Sequence, residues 1–146
     1  MNLQRETLQT AWDEIKQLWL THNDEVGALD NEKFSPDGNQ YLSIEDAGYL
    51  HLYTMRMDGE LVGYCTMFVT KHHHYPNTLW AKQDVLYVVP EWRGFAAYKF
   101  MRFIDRELKT AGVNYIVRQV TSKKNFSRTL ERMGYEAAEV NYLRRM

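Results

Sequence analysis

Residues 84–112, DVLYVVPEWRGFAAYKFMRFIDRELKTAG, decide the fold of this chain. The run Val85–Val89 is apolar and rich in β-branched and aromatic side chains, which reads as a strand, and it stops at Pro90. From Arg93 and Gly94 the spacing becomes helical: Ala97, Phe100, Met101, Ile104 and Leu108 fall on one apolar face, and Lys99, Arg102, Asp105, Arg106 and Lys109 fall on the other. A helix of that kind docks on a sheet. Thr110, Ala111 and Gly112 form a helix stop, and Val113–Val117 reads as a further strand, so the unit is strand, helix, strand with parallel pairing.

A helix that starts directly after a strand leaves its first backbone N–H groups unpaired at the end of the sheet, with the positive end of the macrodipole behind them. That is an anion site. Gly94 lets the backbone approach a ligand, Ala96 and Ala97 leave the first turn uncovered, and Arg93 adds a charge at the rim. The alternative reading is a helix start that holds no ligand.

The segment VVPEWRGFAAYKFMRFID resembles the acyl-CoA-binding segment of the GNAT acetyltransferase superfamily, in which a strand ending V-x-P is followed by R-G-x-G-x-G/A. Val88, Pro90, Arg93 and Gly94 match in residue and spacing. Counted from Arg93 the later small positions fall on Ala96 and Tyr98; with one loop residue missing they fall on Phe95 and Ala97. A second motif lies upstream. Arg56, Asp58, Gly59, Leu61, Val62, Gly63 and Tyr64 resemble the family's R-x-D/N-G-x-L-V-G-Y, with the Asp-Gly pair as a hairpin turn between the runs Tyr49–Met57 and Leu61–Thr70. A third, Glu131, Arg132, Met133, Gly134 and Tyr135, resembles the family's helix ending, with Leu130 at the place of the frequent tyrosine that protonates the departing thiolate.

The resemblance implies an α/β protein of GNAT fold: a mostly antiparallel, twisted, six- or seven-stranded mixed sheet flanked by helices, with a central parallel strand pair that splays into a V. It implies an acetyl-CoA-dependent N-acetyltransferase acting by direct transfer to an amine acceptor, with acetyl-CoA as cosubstrate and no metal. The cofactor-binding set is then Leu86, Val88, Arg93, Gly94, Phe95, Ala96, Ala97 and Asn125. Asp84, six residues before Pro90, stands where such enzymes often place the base, and strand alternation puts it on the same face as Leu86 and Val88. The other reading of Asp84 is a structural hydrogen bond or salt bridge. His74 is the reserve base and Tyr142 a candidate acid. The alternative function is a catalytically inactive CoA-binding or host-protein-interaction module of the same fold.

The remaining stretches set the surroundings. Leu8, Ala11, Trp12, Ile15, Leu18 and Trp19 mark an amphipathic helix from Glu6 to about His22. Thr21–Gln40 reads as a polar loop, of the kind that borders the acceptor site in acetyltransferases, and its His22 and Glu25 are either a polar helix end or a substrate-contacting pair. Ser43–Ala47 reads as a short helical turn capped by Ser43. His72, His73 and His74 cannot all face one centre and read as a solvated turn; His74 and Tyr75 stay of interest because an HY pair occurs here in compact GNAT proteins such as those of tailed phages, which makes Tyr75 a substrate candidate. Glu139–Met146 reads as a last strand.

Length and composition fit one domain over residues 1–146, with 45% hydrophobic and 14% aromatic residues. No 18-residue apolar run and no signal segment is visible, so a cytoplasmic protein with no membrane partner is expected. The one cysteine, Cys65, sits in an apolar strand and reads as a core residue. Residues 1–92 carry 6 Lys/Arg against 14 Asp/Glu, and residues 93–146 carry 12 against 5. That asymmetry favours a polyphosphate ligand on one side and a cationic acceptor on the other, or else solvated faces that pair across the domain. A basic stripe with interleaved aromatics is lacking, so nucleic acid is not expected, and the chain is expected to act as a monomer or homodimer.

Overall fold

The computed structural model describes residues 1–27 and 32–146. A five-stranded sheet runs in sequence order: β1 (Asn2–Glu6), β2 (Leu50–Met57), β3 (Glu60–Lys71), β4 (Leu79–Val88) and β5 (Tyr115–Val117). The first four strands pair antiparallel, and β4 pairs parallel with β5. Helices α1 (Leu8–Val26) and α2 (Gly38–Asp46) cover one face; α3 (Phe95–Thr110) covers the other, and α4 (Ser127–Arg132) follows β5.

Side-chain alternation along the strands separates two cores. Tyr53, Cys65, Met67 and Ala81 pack with Phe100, Ile104 and Leu108 of α3. Leu50, Leu52, Tyr64 and Tyr87 pack with Leu8, Ala11, Ile15 and Trp19 of α1. The apolar faces of α1 and α3 are those expected from the spacing, and the Asp-Gly turn is a tight one, with Asp58 at φ 50° and Gly59 at φ 89°. Burial pushes the Cys65 thiol up to about 12, so the residue is an inert part of the core.

Several expectations are corrected. The sheet has five described strands instead of six or seven, and the parallel pair lies at its edge instead of its centre. Glu139–Met146 forms no strand: Val140, Tyr142 and Leu143 are largely exposed and give the segment no buried face with which to dock. At the other end, Asn2–Glu6 adds a strand that no local pattern announces, registered by pairing with β2 from Asn2↔Arg56 to Glu6↔Leu52. The first helix continues four residues beyond His22, and α2 is capped by the Asp37 side chain, which accepts from Gln40 N at 3.1 Å, so Ser43 lies inside the helix instead of capping it. Of the expected loop Thr21–Gln40, residues 28–31 lie outside the described residues. Among the described residues no helix is long and apolar enough to cross a membrane.

The edge strand β1 is tied in by charge. Arg56 on β2 reaches Glu6 at 2.7 Å and Glu14 of α1 at 2.8 Å, joining strand and helix. Burial alone would raise the Glu6 carboxyl; hydrogen bonds from Arg56, Thr54 and Gln4 outweigh it and hold the group at about 2, against an ordinary 4.5. A depressed carboxyl stabilises the fold above its unfolded pKa and loses that contribution as the pH falls toward its folded one. Glu6→Gln is therefore expected to lower the urea midpoint at pH 7 and to flatten the loss of stability between about pH 4.5 and pH 2, as read by denaturation curves across that range.

Candidate functional site

The site follows from where β4 loses its neighbour. Parallel pairing with β5 covers only Trp80↔Tyr115 to Lys82↔Val117, while β4 runs on through Gln83 to Val88. The two strands part into the expected V. Arg118, directly after β5, is wedged where they separate: its side chain is fully buried, with Nη2 donating to Asp105 of α3 at 2.7 Å, Nη1 to Gln83 of β4 at 3.1 Å and Nε to the Tyr135 hydroxyl at 3.0 Å. The Gln83 amide donates to the Gln119 carbonyl at 3.2 Å.

At the end of β4 the chain makes a short 3-10 turn, Pro90–Trp92, and enters α3 through Gly94. Gly94 has φ 80° and ψ −124°, a conformation open to glycine, and an added Cβ there would meet no heavy atom within 4 Å. The first turn of α3 therefore faces open space, a cavity of about 470 Å³. Its walls include Leu86, Val88, Arg93, Gly94 and Ala97 from the β4–α3 unit, Lys123, Lys124 and Asn125 from the loop before α4, and His22 and Glu25 from α1. Two cations stand against one carboxylate, Arg93 at 2.7 Å and Lys124 at 3.7 Å from Glu25. Arg93 anchors the rim, with Nε donating to the Val88 carbonyl at 2.8 Å and Nη2 gripping both Glu25 oxygens at 2.9 and 2.7 Å. Burial pushes Glu25 up, but the Arg93 hydrogen bonds and charge prevail and hold it below the usual carboxylate range.

A second cavity, of about 420 Å³, lies on the α1–α2 side. Trp19, Asn23, Phe34, Pro36, Tyr41 and Val85 form much of its wall. His22 and Val26, on the last turns of α1, line both cavities. His22 stacks against Tyr87 with centroids 4.9 Å apart, and its Nδ1 lies 3.3 Å from the Tyr64 hydroxyl. Burial lowers its pKa, with Glu25 pulling the other way, so the imidazole is neutral at neutral pH.

Asp84 is not where alternation puts it. The β3–β4 register jumps from Thr66↔Val85 to Met67↔Gln83, so Asp84 is the extra residue of a bulge. Its carboxylate turns toward α2 and away from Leu86, with Oδ2 accepting from the Tyr41 hydroxyl at 2.8 Å and from Thr66 Oγ1 at 3.0 Å. It lines neither cavity. Of the expected cofactor set, Leu86, Val88, Arg93, Gly94, Ala97 and Asn125 line the first cavity, Ala96 packs into the core, and Phe95 is 71% exposed under Lys99 Nζ at 4.5 Å.

His74, Tyr75 and Tyr142 do not join them. The histidine loop connects the far ends of β3 and β4, so the length of β4, roughly 30 Å at about 3.3 Å per residue, separates it from Val88. His74 and Tyr75 are exposed there, the Tyr75 ring stacking on His72 at 5.0 Å. Tyr142 is 94% exposed in a segment without regular structure, and its expected place as an acid is corrected with the strand that was to carry it. Two phenols missed by the sequence reading stand at the site instead: Tyr87 donates to Glu25 at 3.2 Å, and Tyr64 meets His22. Only the alternation of β3 and β4 could have signalled them. Among the described residues no group of three or more His, Cys, Asp or Glu is placed to hold a metal ion.

No family model and no curated protein matches the sequence. Solved structures do match. An aminoglycoside acetyltransferase from an uncultured soil metagenomic sample, in complex with sisomicin, superposes with a TM-score of 0.76 at 13% identity, covering 99% of this chain and 95% of that one. A ribosomal-protein-alanine N-acetyltransferase from Brucella melitensis biovar Abortus 2308 gives 0.73 at 17% identity over 100% of both chains. An aminoglycoside N-acetyltransferase in complex with CoA gives 0.70 at 14% identity, covering 99% of this chain and 98% of that one. The chain has the GNAT acetyltransferase fold.

Holding φ at 80° with ψ at −124° is costly for any residue with a Cβ. Gly94→Ala is expected to reduce unfolding free energy by about 1–3 kcal/mol in urea titrations, from backbone strain alone, since the methyl group meets no neighbour.

Proposed function

We propose that the protein is an acetyl-CoA-dependent N-acetyltransferase that passes the acetyl group directly to an amine acceptor. The observation that carries this reading is the meeting of two cavities at His22 and Val26, one walled by Arg93, Lys124 and the uncovered start of α3, the other by aromatic side chains. The first suits the pyrophosphate of CoA, because unpaired helix N–H groups and fixed cations favour an anion. The fold is shared with acetyltransferases that include one crystallised with CoA, which supports the same ligand here. Beyond Lys82 the β5 side of β4 is open along Leu86 to Val88, and an extended pantetheine arm fits such a strand edge. The acceptor then enters from the second cavity, and thioester and amine meet beside His22.

An ammonium acceptor must lose a proton before it attacks. Among the described residues His22 is the titratable side chain common to both cavities, and its lowered pKa keeps it able to accept that proton. Asp84 serves as a positioning residue: the same oxygen that accepts from Thr66 holds the Tyr41 phenol against the acceptor cavity. Direct transfer is the reading taken here; the buried Cys65 thiol is no candidate for a covalent acyl carrier.

Gly94→Glu places a carboxylate at the start of α3 and is expected to abolish acetyl-CoA binding in calorimetry, whereas Gly94→Ala, with the same backbone strain, weakens it far less. Equal affinity in the two variants would count against the site. His22→Gln is expected to lower kcat about 10²-fold or more, and the acid limb of wild-type kcat to lie below pH 6.5, the ordinary histidine value. Loss of kcat in Asp84→Asn with His22→Gln near wild type would return the base role to Asp84. Acetyl-CoA binding without turnover over a broad amine panel would favour the non-catalytic module.

A further inference from the structure

We infer that the acceptor is a small arylalkylamine, a primary amine carried on an aromatic ring by a short alkyl chain; this rests on the acetyltransferase reading above. The cavity of about 420 Å³ is of the size that takes a small organic molecule. Three of its wall residues form a continuous aromatic surface. Trp19 lies at the floor, 3% exposed, with the Tyr41 ring 5.3 Å away at 52° and the Phe34 ring 6.4 Å away at 86°. Phe34, 38% exposed, stands at the mouth. A fourth ring from the ligand completes such a cluster in the offset or edge-to-face geometries that aromatic groups prefer.

The charges point the same way. Glu32 and Lys33 are both in the wall, so among the described lining residues one carboxylate is balanced by one ammonium. A polycationic sugar or polyamine needs several carboxylates to offset its desolvation, whereas one ammonium is accommodated by ring faces. The direction of entry is fixed by His22 and Val26, where the cavities join. The amine therefore points inward to His22, and the aryl group stays outward against Phe34 and Val85.

Phenylethylamine and tryptamine are to be compared with kanamycin, spermidine and an alanine-initiated peptide at saturating acetyl-CoA, with acetylated product detected by mass. The arylalkylamines are expected to show kcat/KM about 100-fold above the others. Phe34→Ala, at the exposed mouth, is expected to raise their KM about tenfold while acetyl-CoA affinity stays unchanged. Phenylethylamine binding is also read without chemistry, from quenching of tryptophan fluorescence, and it too should weaken in Phe34→Ala. A preference for kanamycin, spermidine or the peptide, or no phenylethylamine binding at all, overturns the assignment and leaves the enzyme class standing. Failure of acetyl-CoA to bind the wild-type protein overturns the enzyme class itself, while phenylethylamine quenching still reports on the aromatic site.

Discussion

The buried guanidinium of Arg118 ties together the elements around the place where β4 goes on without β5. It stands where β4 and β5 stop pairing, and its donors go to β4 through Gln83, to α3 through Asp105 and to the chain after α4 through Tyr135. Strands that separate inside a domain leave backbone polar groups without their ladder partners, and such groups are expensive to bury unsatisfied. A fully buried charge is more expensive still. Here the charge is compensated, because the forked, permanently charged side chain reaches three elements at once through Gln83, Asp105 and Tyr135 and finds the Asp105 carboxylate as its counter-ion. The open edge of β4 is thus a built feature of the fold.

From that opening the rest of the site follows. With β5 turned away, the end of β4 and the first turn of α3 look into the same cavity, and the loop before α4 supplies Lys123, Lys124 and Asn125 from the opposite wall. On the other face, α1 lays His22 on Tyr64 and Tyr87 and brings Glu25 to Arg93, so one helix contributes to both cavities. The uneven charge of the sequence is expressed around the cavity beside α3, where cations gather, whereas among the described residues of the other cavity Glu32 and Lys33 stand one against one.

What could be read from the sequence was local. The face of α3, the Asp-Gly hairpin and the glycine that opens α3 all depend on neighbours within a few residues, and their positions stand as read. What could not be read was set by distant partners. Strand β1 is polar and short, and its register comes from β2 about fifty residues on. Helix α2 is legible only in its second half, from Ser43 on, because it buries no residue fully and so offers little apolar stripe. The bulge at Asp84 appears only when β3 and β4 are laid side by side, and one extra residue is enough to turn a carboxylate from one face to the other. The pairing of Arg93 with Glu25, 68 residues apart, likewise has no local trace. Tyr142 shows the opposite error, an aromatic residue in a strand-like stretch that found no sheet to join.

The last turn of α1 binds these features together. Val26 closes the helix, and Gly27 caps it by donating to the Asn23 carbonyl at 2.7 Å. Within those few residues are the partition between the chambers and the carboxylate that restrains Arg93. Glu25 is held there from three sides, by Arg93, by the Tyr87 hydroxyl and by Lys124, so the end of α1 is fixed to the β4–α3 unit on one side while it walls the second chamber on the other.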